Sequence, residues 1–129
     1  TRAVLPFMNT GWGRIINMSS LAARNGGGNG ATAYAASKAA IIAFTRGLCK
    51  EVADLGITVN AVAPGLILET PFHETFNTDA GIQGAINSTP LQRGGTPDDV
   101  ANAVLYFATE LGSFITGEII DINGGMYFA

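Results

Sequence analysis

Tyr34 and Lys38 stand four residues apart in the stretch YAASKAAIIAF. On a helix that spacing brings both side chains to one face, with Cβ atoms about 5–6 Å apart. An ammonium there would stabilise the phenolate, and a phenol whose ionised form is stabilised gives up its proton more readily, as a general acid must. Ser20 offers a third group: a hydroxyl at a strand end would donate to an oxygen on which negative charge develops. Phenol, ammonium and hydroxyl together suit the reduction of a carbonyl by hydride, in which the oxygen needs a proton as hydride reaches the carbon. Tyr-x-x-x-Lys recurs by chance and proves nothing alone. The elements around these residues have to bring them together.

Those elements alternate along the chain. Residues 1–9 read as the end of a helix, stopped by the turn NTGWG at 9–13. RIINMSS at 14–20 holds the apolar run Ile15, Ile16 and Met18 and suits a buried parallel strand. The glycine-rich ARNGGGNGA reads as a loop, since glycine weakens helix and strand alike. From Tyr34 to Leu55, the recurrence of Ile41, Phe44, Leu48, Val52 and Leu55 marks one face of an amphipathic helix, which Gly56 ends. ITVNAVAPG at 57–65 is a second strand, rich in β-branched residues and closed by Pro64-Gly65. Residues 66–95 lack clean periodicity and read as a lid-like loop with short helical pieces. At 96–111 a helix opens with Thr96 as N-cap, Pro97 at its first position and Asp98 and Asp99 at its positive end. GEIIDING at 117–124 is the third strand.

Alternating strands and helices predict an α/β fold, a doubly wound parallel sheet with right-handed crossovers. Ligands of such sheets gather beyond the carboxyl ends of the strands. Ser19 and Ser20, Pro64 and Gly65, and Asn123 onward fall there. The glycine-rich loop returns the chain from Ser20 to Tyr34, so hydroxyl, phenol and ammonium can share one crevice.

The composition narrows the classes. With 47% hydrophobic and 13% charged residues and 17 glycines, the chain reads as globular α/β. Its net charge of −3, with scattered Lys and Arg, offers no field for nucleic acid. Cys49 is the single cysteine, which excludes an internal disulfide and a zinc site built on thiolates. No apolar run approaches the roughly 18–20 residues that span a bilayer. A soluble, cytoplasmic protein without a membrane partner is expected.

GRIINMSS, YAASK, VNAVAPG, TPDDVANAVLYFAT and FITGEIIDINGG occur in that order. Together they resemble the C-terminal half of a short-chain dehydrogenase/reductase, most nearly the 3-oxoacyl-[acyl carrier protein] reductase branch. The resemblance covers the whole chain. It implies a Rossmann-like fold of which about three strands and three helices are present, residues 1–129 forming the C-terminal part of one NAD(P)-binding domain. It implies catalysis by Ser20, Tyr34 and Lys38, with Tyr34 and Lys38 also at the cofactor. Lys38 would hold the nicotinamide ribose, Pro64, Gly65 and Ile67 would receive the nicotinamide, and the Thr70 hydroxyl would touch the cofactor. The cofactor would be NADP or NAD, and the substrate a small carbonyl or alcohol, a 3-oxoacyl thioester before a sugar, polyol or secondary alcohol. A homotetramer pairing the helices at 1–9 and 34–55, with the tail GGMYFA as a second contact, is implied for the complete protein.

The chain departs from the family pattern in three ways. Ser20 precedes Tyr34 by 14 positions, one more than is commonest, so Ser19 stands as a second candidate. PGLILET is one residue longer than PGxIxT. The phosphate loop TGxxxGxG falls before Thr1, so the chain reads as a fragment, and alone it would bind either dinucleotide weakly. A non-catalytic interaction module is the reading from another class. His73 reads as a surface group before a substrate contact, and Cys49 as a packed helix residue. GGGNG lacks the lysine of a nucleoside-triphosphate loop.

Overall fold

Three parallel strands form the sheet of the computed structural model, which describes residues 1–8, 11–70 and 78–129. They are β1 (Gly13–Met18), β2 (Ile57–Pro64) and β3 (Ile119–Ile122), side by side in that order. Gly13 pairs with Ile57, and Ala61 with Ile119. The parallel α/β sheet expected from the alternation is the sheet observed. Val59, Ala61, Val62 and Ala63 of the central strand are fully buried, as a continuous apolar run covered on both faces requires.

Four α-helices surround it among the described residues: α1 (Ala22–Asn25), α2 (Thr32–Glu51), α3 (Asp79–Ser88) and α4 (Pro97–Ala108). Leu48, Cys49 and Val52 of α2 and the residue after it pack on Ile57 and Val59, and Ile42 packs on Ala61, Ala63 and Ile119. Side chains alternate across a strand, so Asn60 and Val62 face the other way, where α4 crosses all three strands and buries Phe107 completely. The two helices therefore cover opposite faces while the strand order advances in one direction. The crossovers β1-α2-β2 and β2-α4-β3 must then be of opposite hand, and right-handedness throughout, as the sequence led us to expect, is not what the chain does. The rule rests on a strand feeding a helix directly back onto the sheet. Here residues 65–96 intervene and release it.

Other expectations shift in detail. Residues 1–8 do not form the end of an α-helix: Leu5–Phe7 is a single 3₁₀ turn, because Pro6 has no N–H to continue the ladder. Ala22–Asn25, placed partly in the loop by its glycines, is a short helix that ends at Gly26 in the left-handed conformation. The strand ends fall at Met18 and Ile122 rather than at Ser20 and Gly124. The α-helical parts of the second and last predicted helices stop at Glu51 and Ala108, each followed by a 3₁₀ turn. The region 66–95 contains the ten-residue helix α3. Asn9 and Thr10 of the predicted turn, and Pro71 and His73 of the lid, lie outside the described residues.

The buried face of α2 is Ala35, Ile42, Thr45, Leu48 and Cys49. The stripe read from the sequence is rotated from it, leaving Phe44 49% exposed and Leu55 38% exposed. Thr45 is the cause. Its hydroxyl donates to the Ile41 carbonyl at 2.8 Å and accepts from the Asn17 amide at 2.9 Å, so a polar residue sits satisfied in the core.

α4 has the capping box its sequence announced: Thr96 Oγ1 accepts from the Asp99 N–H, and the Asp99 carboxylate accepts from the Thr96 N–H. Truncating the side chain that seals α4 tests this packing. Phe107→Ala in the intact protein is expected to lower stability by about 3–5 kcal/mol, measured by denaturant unfolding; a loss below about 1 kcal/mol would show that Phe107 does not anchor this face.

Candidate active site

Beyond the carboxyl ends of the strands lies a cavity of about 420 Å³. Backbone pairing runs on past the strands and shapes it. The Ser19 N–H donates to the Val62 carbonyl and the Leu21 N–H to that of Pro64, both at 2.8 Å, while the Gly65 N–H donates to that of Ile122 at 2.9 Å. The turns after β1 and β2 are thus held level.

α2 presents its first two turns to this level. Lys38 Nζ donates to the Met18 carbonyl at 3.0 Å, at the last residue of β1, and lies 5.7 Å from the centroid of the Tyr34 ring. That is cation–π range, so phenol and ammonium share one helix face as the spacing required. Ser19 Oγ, buried, donates to the Lys38 carbonyl at 2.9 Å, which pins α2 to the strand end from behind. Ser20 Oγ accepts the Ala22 N–H at 3.1 Å, leaving its proton to be donated into the cavity. Both serines line the cavity, and what separates them is bonding: the Ser19 hydroxyl donates to the helix, whereas the Ser20 hydroxyl accepts a backbone N–H.

Ser20, Tyr34, Lys38, Pro64, Gly65, Ile67 and Thr70, the residues singled out in the sequence, all line this one cavity, and so does the second candidate, Ser19. Gly65 is confined: a Cβ there would lie 3.0 Å from Asn123 Cβ and 3.2 Å from its Cα. Glu69 takes a left-handed φ of 59°, uncommon for a residue with a side chain, and the Thr70 hydroxyl beyond it donates back to the Ile67 carbonyl at 3.2 Å. Thr70 thus reaches the cavity with its proton turned towards its own backbone.

Met18, Pro97 and Val100 also line the cavity and were not singled out. The Met18 backbone carbonyl carries no signal in side-chain identity. Pro97 and Val100 were legible as the start of a helix, but nothing in TPDDV says what that start faces. Nearby, the hydrogen bond from Arg93, with that of the Thr96 N–H, holds the Asp99 carboxyl well below its ordinary value of 3.8. A depressed carboxyl adds stability above that ordinary value and loses it as pH falls; exposure to solvent keeps this contribution small.

A family model described as enoyl-(acyl carrier protein) reductase matches residues 1–127. A solved structure of a short-chain dehydrogenase/reductase, glucose/ribitol dehydrogenase, from Brucella melitensis superposes with a TM-score of 0.90 at 34% identity, over 99% of this chain and 50% of the other. The chain belongs to the short-chain dehydrogenase/reductase family. Within that family it is similar to the 3-oxoacyl-[acyl-carrier protein] reductase structure from Brucella melitensis, with a TM-score of 0.90, 38% identity and coverage of 99% and 47%. Nodulation protein G of Azospirillum brasilense is 44% identical over 99% of this chain and 51% of its own. The 3-oxoacyl-[acyl-carrier-protein] reductase of Aquifex aeolicus is 45% identical over 90% of this chain and 46% of its own. The chain spans about half the length of the curated relatives it matches.

The roles of the two serines are separable by experiment in the intact short-chain dehydrogenase/reductase. Ser19→Ala removes a buried hydrogen bond and is expected to lower stability by about 1 kcal/mol while leaving turnover within a few-fold. Ser20→Ala is expected to leave the fold intact and lower turnover by about 10²–10³, the worth of one oxyanion donor. Steady-state rates beside thermal melts check both, and the reverse pattern would make Ser19 the donor.

Proposed function

We propose that the protein carrying this chain reduces the keto group of a 3-oxoacyl thioester with NADPH or NADH. The observation that carries the reading is the meeting of the Ser20 hydroxyl, the Tyr34 phenol and the Lys38 ammonium in one cavity with the Pro64-Gly65 turn. The identity with 3-oxoacyl-[acyl-carrier-protein] reductases supports it. Tyr34 gives its proton to the carbonyl oxygen. Ser20 donates a hydrogen bond to the same oxygen and stabilises the charge gathering there. Lys38, oriented by the Met18 carbonyl, stabilises the phenolate left behind and donates to a ribose hydroxyl.

The residues present fit the nicotinamide end of a dinucleotide. Pro64, Ile67, Met18 and Val100 give apolar walls for a flat ring, Gly65 keeps one wall free of a Cβ, and the volume suits a small-ligand site. The bound cofactor supplies the hydride. This chain's part is to hold the ring and move the proton.

Phe44, Leu55 and Phe128 stand exposed on α2, after it and in the tail. They support the further reading that the intact protein is a homotetramer pairing α2 with a second copy. Among the described residues no helix is long and apolar enough to cross a membrane, and we place the protein in the cytoplasm.

The description of the matching family model favours a second reading, in which an enoyl thioester is reduced. The same proton donor would then serve the enolate. Offering acetoacetyl and crotonoyl thioesters to the intact protein separates the two. Oxidation of the reduced dinucleotide by the first alone is expected, by the second alone would favour the enoyl reading, and by neither would favour a sugar or polyol substrate or a non-catalytic role. Tyr34→Phe is expected to lower turnover by about 10²–10⁴ with dinucleotide affinity nearly unchanged. Lys38→Ala should lower turnover and dinucleotide affinity together, since both its roles are lost. Near-normal turnover in the first variant, or unchanged affinity in the second, would remove that residue from the mechanism.

A further inference from the structure

Two short segments flank the cavity on the side away from α2. Residues 66–70 leave β2, and residues 93–100 lead into α4. They are fastened side by side: the Gly95 N–H donates to the Leu66 carbonyl at 2.9 Å and the Leu68 N–H to the Gly95 carbonyl at 2.8 Å, making a bridge of Ile67 with Gly95. The approach is close. A Cβ on Gly94 would lie 2.6 Å from Leu68 Cγ, and one on Gly95 2.6 Å from Ile67 Cδ1.

One carboxylate gathers the second segment. Asp99 Oδ2 accepts from Arg93 NH1 at 2.7 Å, the Thr96 N–H at 2.8 Å and the Thr96 hydroxyl at 3.2 Å, and Oδ1 accepts from Arg93 NH2 at 3.1 Å. Arg93 NH1 also donates to the Gly94 carbonyl at 2.9 Å. An isolated surface ion pair contributes little, but a two-pronged pair inside a network is the exception. Here the same group caps α4 and folds Arg93, Gly94 and Gly95 against its start.

The consequence reaches the cavity. Ile67 and Thr70 of the first segment line it, and so do Pro97 and Val100 of the first turn of α4. Asp99 does not line it. We propose that Asp99 is a positioning residue, whose pairing with Arg93 holds the bridge between 66–68 and 94–95 and so fixes the wall against which the nicotinamide ring rests. The inference depends on the proposed function only in naming that ring; the clamp itself depends on the hydrogen bonds.

Asp99→Asn tests it in the intact protein, because the amide oxygen can still cap Thr96 while the charge opposite Arg93 is lost. Amide exchange is read first, without dinucleotide. The Leu68 and Gly95 amides are expected to exchange about tenfold faster, and the Ala61 amide, which bonds the Glu118 carbonyl inside the sheet, to stay unchanged, the mark of local rather than global opening. Dinucleotide affinity should fall about tenfold, and KM for it rise in step, with kcat within about threefold. Asp99→Glu, which keeps the charge, should recover most of the affinity, and Arg93→Ala should reproduce Asp99→Asn and add nothing in the double variant.

Unchanged exchange at Leu68 and Gly95 would overturn the clamp. Faster exchange there with unaltered dinucleotide affinity would overturn the positioning role, as would equal acceleration at Ala61. If the intact protein reduces no acyl thioester yet exchange and affinity respond as stated, the clamp stands and the substrate assignment fails.

Discussion

Parallel pairing levels the ends of neighbouring strands, and the rest of this structure depends on that constraint. Because the pairing of β1 with β2 continues through Ser19 and Leu21, and that of β2 with β3 through Gly65, the turns after β1 and β2 lie at one height. An antiparallel partner would have carried one of them to the opposite edge. The helix is tied to the same level by the Ser19 hydroxyl and by the ammonium of Lys38, both bonded at the junction of α2 with the end of β1. Side chains from segments far apart in sequence thereby meet with little freedom left to lose, which is what preorganised chemistry requires.

The buried strand and the chemistry at its end make opposite demands on the chain. β2 is covered on both faces and all but featureless in its interior, built from Val59, Ala61, Val62 and Ala63. The fully buried Asn60 is satisfied on both sides, its amide donating to the Ile115 carbonyl and its oxygen accepting the Glu118 N–H, whereas the buried Thr58 hydroxyl oxygen has no such partner among the described residues. Pro64 and Gly65 then end the strand where the cavity begins. With α2 and α4 on opposite faces, the cavity takes its floor from the strand ends, one wall from the start of α2 and another from the start of α4. The long passage between β2 and α4 is the means by which the chain changes face.

Much of this was legible in the sequence. The alternation of apolar runs and periodic stretches found the three strands, and Thr96, Pro97 and Asp99 marked the start of α4. Gathering Ser20, Tyr34 and Lys38 needed only the topology and the loop between them. What was hidden has physical reasons. The buried stripe of α2 runs through Thr45, whose polarity is cancelled by Asn17 and its own helix, and an apolar period cannot count such a residue. α3 holds Gly81 and Gly84, Ile82 and Ile86 and no buried residue, so its pattern falls below what periodicity detects. The choice between Ser19 and Ser20 could not be made from spacing, because one extra residue in the loop leaves both at the strand end. The two differ in where each hydroxyl bonds, Ser19 to the Lys38 carbonyl and Ser20 to the Ala22 N–H, and on that difference rests the proposal that Ser20 is the donor.

On the function proposed above, the level strand ends form the seat of a nicotinamide ring. Methyl-labelled isoleucine in the intact protein reports on this directly, because Ile67 lines the cavity whereas Ile42 and Ile119 pack together in the core beneath α2. Titration with reduced dinucleotide should shift the Ile67 methyl resonance by the ring current of the nicotinamide and leave those of Ile42 and Ile119 in place. Saturation with dinucleotide that leaves Ile67 unmoved would mean that the ring does not sit at the strand ends.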